Sequence, residues 1–445
     1  MSKIRNTTID VFKTYEFSKG IVTIPFENQY VAINSNAAKW LVLSSEEFKF
    51  FELLREHSIK EAISIYNKPE IAKLVIANIE GRHFFEDEEC KKVSCGAFSL
   101  HFYITSGCNM RCPHCFISAG DVLRDDLSFE EIQQTLKSFK SIGGEKVTLT
   151  GGEVAMRKDL EDIIRSAKDV SLKVEILTNG VLWTDEKIQR LSPYIDSVQI
   201  SIDGYDEESN APIRGKGNFD RALKALTSFA QNGVYSAVAI TPPYSIIDGE
   251  HIKDYVIFAQ KLKKKFEQFP DKLNIRFTLD LLDGREITLS QRERDLYHFA
   301  ILKIYSAYYG TDATDMPFIL QRRANQLLDN CSFGNLAIKA NGDIFLCSRT
   351  DDCVSIGNVR SIDFEEVREQ CLMAKKFSNI DNLTPCKQCP LKYICGGGCK
   401  IDFFPEIVST SNFKDVVNKE FQRTGCNEKE RMLRLMIKTS KFMNQ

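Results

Sequence analysis

Between residues 99 and 309 the hydrophobic positions follow two rhythms that take turns. Short runs with an apolar residue at every second position, at 99–105, 146–150, 173–178, 197–202, 234–240 and 273–279, predict strands. Between them apolar residues return every three or four positions, which predicts helices over 128–142, 159–170, 184–191, 218–232, 248–265 and 290–309. Ser128 with Glu131 three places on is a capping box that sets the start of the first of these helices. Strands alternating with helices imply a parallel sheet whose working groups gather at the strands' carboxyl ends. Six units rather than eight suggest an α/β fold with a partial, TIM-like (β/α)6 barrel, its open side wide enough for a large substrate.

The flanks follow other patterns. Residues 20–26 and 30–34 predict paired strands, 37–43 extends the apolar run, and the capping boxes Ser44/Glu47 and Ser58/Glu61 open two helices ahead of a third over 69–79. Acidic Glu86 to Glu89 reads as a hinge, and regular alternation stops past 311–317. These shifts divide the chain into a small α+β domain at 1–90, the barrel at 96–315, a cysteine-rich domain at 316–430 and a helical tail at 431–445.

Composition narrows the function classes. A chain of 445 residues, 43% of them hydrophobic, can bury a large core. A net charge of −2 gives no sign of a nucleic-acid partner, and the basic run Lys261 to Lys265 reads as a solvated helix face. The first residues carry no apolar signal region; the uncharged stretch 225–247 is broken by Asn232-Gly233 and Pro242-Pro243, so no membrane partner is expected and a cytoplasmic enzyme is. Fourteen cysteines without an export signal point to metal ligation in a reducing compartment.

Cys108, Cys112 and Cys115 share one loop with C-x3-C-x2-C spacing, and the next cysteine is Cys331. Three thiolates can hold three irons of a cubane cluster and leave the fourth open to a cofactor. A zinc knuckle would need a fourth nearby donor, and His114, beside Cys115, is poorly placed to give one. Further motifs sit on the same rim: Thr150-Gly151-Gly152-Glu153 after the second strand, Thr178-Asn179-Gly180 after the third, and Gln199-Ile-Ser-Ile-Asp203-Gly at the fourth. Glycines 151 and 152 let backbone approach a cationic amino group, Glu153 adds charge nearby, and Arg214 supplies a fork for a carboxylate.

The cysteine triplet resembles the signature of the radical S-adenosylmethionine (SAM) superfamily. That resemblance implies an open iron that binds SAM and an electron that cleaves it to a 5'-deoxyadenosyl radical, able to take hydrogen from unactivated carbon. It places Gly151, Gly152 and Glu153 at the SAM amino group, Asn179 on the same rim, Ser201 and Arg214 at the carboxylate and ribose end, and His114 beside the adenine, with Thr241-Pro242 as a further adenine contact. Val154 stands where the family often has proline.

Seven more cysteines, Cys331, Cys347, Cys386, Cys389, Cys395, Cys399 and Cys426, match the pattern of the SPASM domain, an auxiliary-cluster extension of peptide-modifying radical SAM enzymes. A zinc ribbon is the plainer alternative, since C-x2-C pairs are its hallmark. By resemblance, Cys386, Cys389, Cys395 and Cys426 close one cluster, and Cys331, Cys347 and Cys399 hold another nearer the active site, making three iron-sulfur clusters in all. The last set has three thiolates, and residues 322–330 contain no cysteine. Either another group ligates, or an iron stays open to a peptide thiolate. Cys90, Cys95 and Cys371 read as idle thiols, and Cys353, six past Cys347, as a lesser candidate ligand.

The amino-terminal strands and helices resemble the winged-helix element that binds leader segments of ribosomally made precursor peptides by strand addition. The expected partners are therefore a precursor peptide with a leader and a reductant such as flavodoxin or ferredoxin. The expected reaction is installation of a cross-link, a thioether ahead of a carbon–carbon bond. Formylglycine formation by an anaerobic sulfatase maturase is the rival; it resembles this chain less, because that family has an aspartate after the residue matching Cys347 and this chain has Ser348, with Asp351 and Asp352 as the nearest substitutes. A zinc-stabilised binding protein on the same scaffold is the non-enzymatic alternative.

Overall fold

The computed structural model describes residues 10–85, 98–247, 251–269, 273–279, 281–309, 331, 333–416, 419–426 and 428–443. Cys90, Cys95, the acidic hinge and the 311–317 break lie outside them.

Near the amino terminus, β1 (Ile21–Phe26), β2 (Gln29–Asn34) and β3 (Lys39–Leu43) form an antiparallel meander, followed by α1 (Ser45–Leu53), α2 (Ile59–Tyr66) and α3 (Pro69–Gly81). Both expected capping boxes form: the Glu47 amide donates to Ser44 Oγ at 3.3 Å while the Ser44 amide donates to the Glu47 carboxylate at 2.6 Å, and Ser58 with Glu61 repeats the exchange. Side chains alternate across β2. Ala32 faces a core with Phe50, Phe51, Val75 and Phe84, whereas Val31 and Ile33 join the core of the rest of the molecule.

Six parallel strands, β4 (Ser99–Tyr103), β5 (Lys146–Thr150), β6 (Lys173–Thr178), β7 (Ser197–Ser201), β8 (Tyr235–Ile240) and β9 (Leu273–Phe277), lie side by side in chain order. Between or after them come α4 (Phe129–Ser141), α5 (Leu160–Asp169), α6 (Asp185–Leu191), α7 (Glu207–Arg214), α8 (Asn218–Gln231), α9 (His251–Phe266) and α10 (Gln291–Tyr309). Leu100, Phe102, Val147, Leu149, Val174, Ile176, Val198, Ile200, Val238 and Ile240 are buried with the helices' apolar faces, each contributing about 1.5–3 kcal/mol on burial. The alternate positions are polar in five of the strands, at His101, Thr148, Glu175, Gln199 and Arg276, and small in β8, at Ala237 and Ala239; Glu175 is bound to Lys146 Nζ at 2.9 Å and to Thr148 Oγ1 at 2.8 Å. Their period of two, inside parallel strands, marks the lined interior of a partial barrel.

Two features differ from the sequence reading. Helix α7 went unforeseen because Pro212 interrupts its pattern; its start is fixed by Asp206, whose Oδ1 accepts from the Ser209 amide at 2.8 Å. The cysteine-rich segment also shares the barrel's sheet. β10 (Leu336–Ile338) pairs parallel with β4 and continues through β11 (Asp343–Phe345) to β12 (Gly357–Asn358), giving nine strands in the order β12-β11-β10-β4-β5-β6-β7-β8-β9. α11 (Phe364–Phe377) covers this extension, and α12 (Glu428–Met443) packs Leu433, Met436 and Ile437 into the main core and lies on β2 and β3.

Candidate functional site

The loop after β4 is closed at its neck. The Cys108 amide donates to the Gly120 carbonyl at 2.7 Å and the Gly120 amide to the Ser106 carbonyl at 3.1 Å. Asp126 holds the turn from below, accepting from the Ser106 amide at 2.9 Å and from Ser106 Oγ at 3.0 Å. Inside the loop the Cys115 amide donates to the Cys112 carbonyl at 3.2 Å, and Arg111 reaches back to the Cys108 carbonyl at 2.8 Å. Cys108, Cys112 and Cys115 are half-buried free thiols; burial pushes the first two above the usual thiol range, so their thiolates require a cation.

The Gly-Gly-Glu turn leaves β5 directly against that loop. Gly152 donates to the Thr105 carbonyl at 2.9 Å, and Glu153 donates from its amide to the Gly107 carbonyl at 2.7 Å. A Cβ on Gly152 would stand 2.0 Å from the Gly107 oxygen, and one on Gly151 2.3 Å from the Thr105 oxygen. No larger residue permits this approach. Glu153 is wholly buried, which pushes its carboxyl up, and its oxygens accept from Thr178 Oγ1 at 2.6 Å, the Asn179 amide at 2.7 Å and the Ala155 amide at 3.0 Å. Asn179 passes the connection on, donating from Nδ2 to Asn109 Oδ1 at 2.8 Å. The protein contacts of both glycines, Glu153 and Asn179 thus bind β5, β6 and the cysteine loop into one rim.

Arg214 ends α7 with its Nε 2.6 Å from Asp203 Oδ2, and His114 Nε2 lies 3.3 Å from the same oxygen. Asp203 is fully buried, its amide donates to Asn210 Oδ1 at 3.0 Å, and its carbonyl accepts from Tyr255 Oη at 2.8 Å. Burial pushes His114 down while Asp203 opposes the shift. A cavity of about 470 Å³ opens beside this group, walled by Pro113, His114, Tyr205, Ile213, Thr241 and Pro242. His114 and Thr241-Pro242 are therefore brought together on one cavity wall. Ser201 is half-buried at the end of β7, in register with Ala239.

The cysteines of the second array lie in two places. Cys386, Cys389, Cys395 and Cys426 line one cavity of about 400 Å³. Arg423 lines it too; it is 8% exposed, stacked 4.0 Å over the Phe403 ring, and its Nε and Nη2 have no hydrogen-bond partner among the described residues. In the other set Cys331 and Cys399 meet thiol to thiol, which holds Cys331 below the usual range, and Arg349 Nη1 lies 3.5 Å from Cys399 Sγ. Lys400 stands between the sets. It is 2% exposed, its ammonium donates to the carbonyls of Gly396 at 3.2 Å and Gly398 at 3.3 Å, and it feels Cys331, Cys386, Cys395 and Cys399. Glycines 396, 397 and 398 all have positive φ, a conformation that turns those carbonyls inward. Tyr103 of β4 links this region to the first loop: its phenol feels both Cys347 and Cys115, and its Oη donates to the Ser348 carbonyl at 2.6 Å. Cys371 is buried, its thiol pushed up to about 12 by burial, and inert.

Residues 102–260 match the radical SAM superfamily model, and residues 330–390 match the SPASM model, an iron-sulfur cluster-binding domain. The chain carries a radical SAM domain followed by a SPASM domain. Among curated relatives, mycofactocin maturase MftC of Mycolicibacterium smegmatis is 26% identical over 67% of this chain and 77% of its own length. The antilisterial bacteriocin subtilosin biosynthesis protein AlbA of Bacillus subtilis is 23% identical over 66% of each chain. Among solved structures, native anSMEcpe with bound AdoMet shares the fold, with a TM-score of 0.54 and 16% identity over 78% of this chain and 98% of that one.

As a radical SAM enzyme with a SPASM domain, the protein implies 4Fe-4S clusters and SAM. Its donors fit: free thiols raised by burial in the first loop, four cysteines around one cavity, and orphaned guanidinium nitrogens facing that cavity where anionic sulfur would sit. Among the described residues no three His, Cys, Asp or Glu side chains converge on a single ion position. Among the described residues no helix is long and apolar enough to cross a membrane. Sequence reasoning assigned no role to Asp203, Lys400 or Arg423; the first two were visible as a charge inside the Gln199–Gly204 run and a cation directly after Cys399, while Arg423 carried no signal.

Proposed function

We propose that this enzyme matures a ribosomally made precursor peptide by abstracting hydrogen and installing a cross-link. The carrying observation is the extent of similarity. The relatives that align over about two thirds of the chain, MftC over 67% and AlbA over 66%, are peptide maturases, whereas a Fe-coproporphyrin III synthase and a GTP 3',8-cyclase match over 34% and 31%; the maturation protein SkfB also matches over a shorter span, 32%. Cys108, Cys112 and Cys115 would hold a cluster with one open iron, which supplies the electron that cleaves SAM to a 5'-deoxyadenosyl radical. His114, Thr241 and Pro242 shape the cavity for the adenine end, and Arg214 offers a cation to the SAM carboxylate, held in place by Asp203. Gly151, Gly152, Glu153, Asn179 and Ser201 fix the rim on which SAM lies.

Cys386, Cys389, Cys395 and Cys426 would hold one auxiliary cluster, and Cys331, Cys347 and Cys399 the other. A thioether follows where the latter leaves an iron to capture a peptide thiolate; carbon–carbon bonding needs no such capture. Residues 1–90 are proposed to take the leader as an added strand on an exposed edge of the β1-β2-β3 sheet, with flavodoxin or ferredoxin as the reductant. Formylglycine formation has less support, since Asp351 is paired with Lys339 and Asp352 with Arg349, at 2.9 Å in the latter case.

The test is anaerobic reconstitution with dithionite, SAM and a candidate precursor peptide sought among short reading frames beside the gene. Release of 5'-deoxyadenosine together with a peptide lighter by two hydrogens is expected, and Cys112→Ala should abolish both. Release that persists in the variant would refute the site assignment, and an unaltered peptide would refute the substrate class.

A further inference from the structure

The fourth ligand of the Cys331, Cys347 and Cys399 set can be sought among the residues that fold over it. Just past β11, Cys347 is followed by Ser348-Arg349 and a single 3-10 turn, Thr350–Asp352, capped by the Cys353 amide bonding back to the Thr350 carbonyl. That turn reverses the chain, and the next residue, Val354, is anchored by its amide to the Val408 carbonyl at 3.1 Å. Cys353 consequently points back, and its thiol meets that of Cys347. Arg349 spans the same ground, with Nη1 3.5 Å from Cys399 Sγ and Nε 2.9 Å from Asp352 Oδ2, which ties the turn to the far side of the set. Cys353 thus sits beside Cys347, and Cys331 beside Cys399.

We propose that Cys353 is the fourth protein ligand of the auxiliary cluster nearer the barrel, closing it with four thiolates. The inference rests on the reading that Cys331, Cys347 and Cys399 carry a cluster. On assembly the Cys353 thiol gives its proton to solvent and its sulfur binds the iron that the other three leave vacant. Arg349 adds positive charge beside the set, with Nη1 3.5 Å from Cys399 Sγ. Cys371, by contrast, is buried in apolar surroundings away from any such partner set. A closed cluster also has a consequence for the product. With no iron left to capture a peptide thiolate, the ground for expecting a thioether falls away, and carbon–carbon bonding or attack on a free thiol becomes the expected outcome.

The experiment uses the full chain carrying Cys108→Ala, Cys112→Ala and Cys115→Ala, so that auxiliary clusters alone contribute to the spectra. With Cys353 intact, added cyanide should leave the electron paramagnetic resonance spectrum of the reduced protein unchanged. Adding Cys353→Ala should release one iron per chain, yield a three-iron signal on mild oxidation and create a cyanide-sensitive species; Cys353→Ser should retain the iron with an altered spectrum. Cyanide sensitivity before Cys353 is touched, or iron content and spectra unchanged in Cys353→Ala, would overturn the proposal without harming the reading beneath it. An auxiliary region that binds no iron at all would overturn both.

Discussion

Gly152→Ala tests whether the rim is built as described. The added Cβ would stand 2.0 Å from the Gly107 oxygen, 2.4 Å from its carbonyl carbon and 2.9 Å from the Cys108 nitrogen, and all three are backbone atoms with no rotamer to change. Relief requires the Cys108 peptide to retreat by roughly 1 Å, since unstrained contacts lie well above 3 Å. Overpacking of this kind costs about 1–3 kcal/mol, and loosening the hydrogen bonds of Gly152 to Thr105 and Glu153 to Gly107 adds about 0.5–1.5 kcal/mol each. Against a stability of about 5–15 kcal/mol the variant still folds. Its first cysteine is displaced, however, and a 1 Å misplacement costs on the order of 100-fold in rate. Urea unfolding, iron content and anaerobic release of 5'-deoxyadenosine should therefore separate: a modest fall in midpoint, with a large fall in release. Gly81→Ala is the control, because nothing lies within 4 Å of a Cβ there and the helix end should be unchanged or slightly steadier. Wild-type release and midpoint in Gly152→Ala would refute the packing argument.

Three further outcomes follow from buried charge. Asp203→Asn should leave Arg214 as an unpaired buried cation and cost about 3–5 kcal/mol in urea unfolding, whereas Lys73→Ala, which breaks an exposed pair with Glu70, should cost nothing measurable; equal losses would contradict the pairing. Burial pushes His101 from 6.5 down to about 4, so between those values the unfolded chain holds more protons than the folded one; its contribution is complete above pH 6.5 and disappears as pH falls through 4, about 3 kcal/mol in all. His101→Gln should flatten that part of the pH dependence in iron-free protein, and an unchanged slope between pH 4 and 6.5 would show that the imidazole is not its source. Lys400→Met removes the ammonium between the two auxiliary sets and should lower both reduction potentials by roughly 60 mV, a tenfold change in a one-electron equilibrium; potentiometric titration that finds either one unmoved would place the lysine outside its influence.

The barrel was legible because its signals are local. Strand runs of five to seven residues with alternation, the Ser128/Glu131 capping box and glycine-bearing motifs after successive strands each fix structure within a few positions, and β4 to β9 with their helices lie where those signals point. Helix α7 was hidden because its determinants oppose propensity: Pro212 lies inside it, and the stabilising contacts come from Asp206 and from Asn210, which caps the distant Asp203 and Gly204 amides at 3.0 and 3.2 Å. The cysteine spacings suggested two sets because a cluster imposes spacing on its ligands. Spacing says nothing of counter-charges: Lys400 directly follows Cys399, but its place between the sets, like the approach of Arg423, comes only from folding.

The continuous nine-stranded sheet changes how the two metal-binding regions should be understood. If the cysteine-rich segment were a separate body, the distance between its clusters and the SAM-binding rim would vary with domain motion. Here β10 is hydrogen-bonded to β4, the strand that launches the first cysteine loop, with Leu336 opposite Leu100 and Ile338 opposite Phe102. Both register with the same buried core, and Tyr103, the next residue of β4, spans from Cys115 to Cys347. Sliding one region against the other would break that ladder and expose the core beneath it, so their spacing is set by the sheet itself. A substrate held at the open mouth would meet both regions at a fixed separation, which suits a reaction in which a radical formed at one point must react at a second before it is quenched.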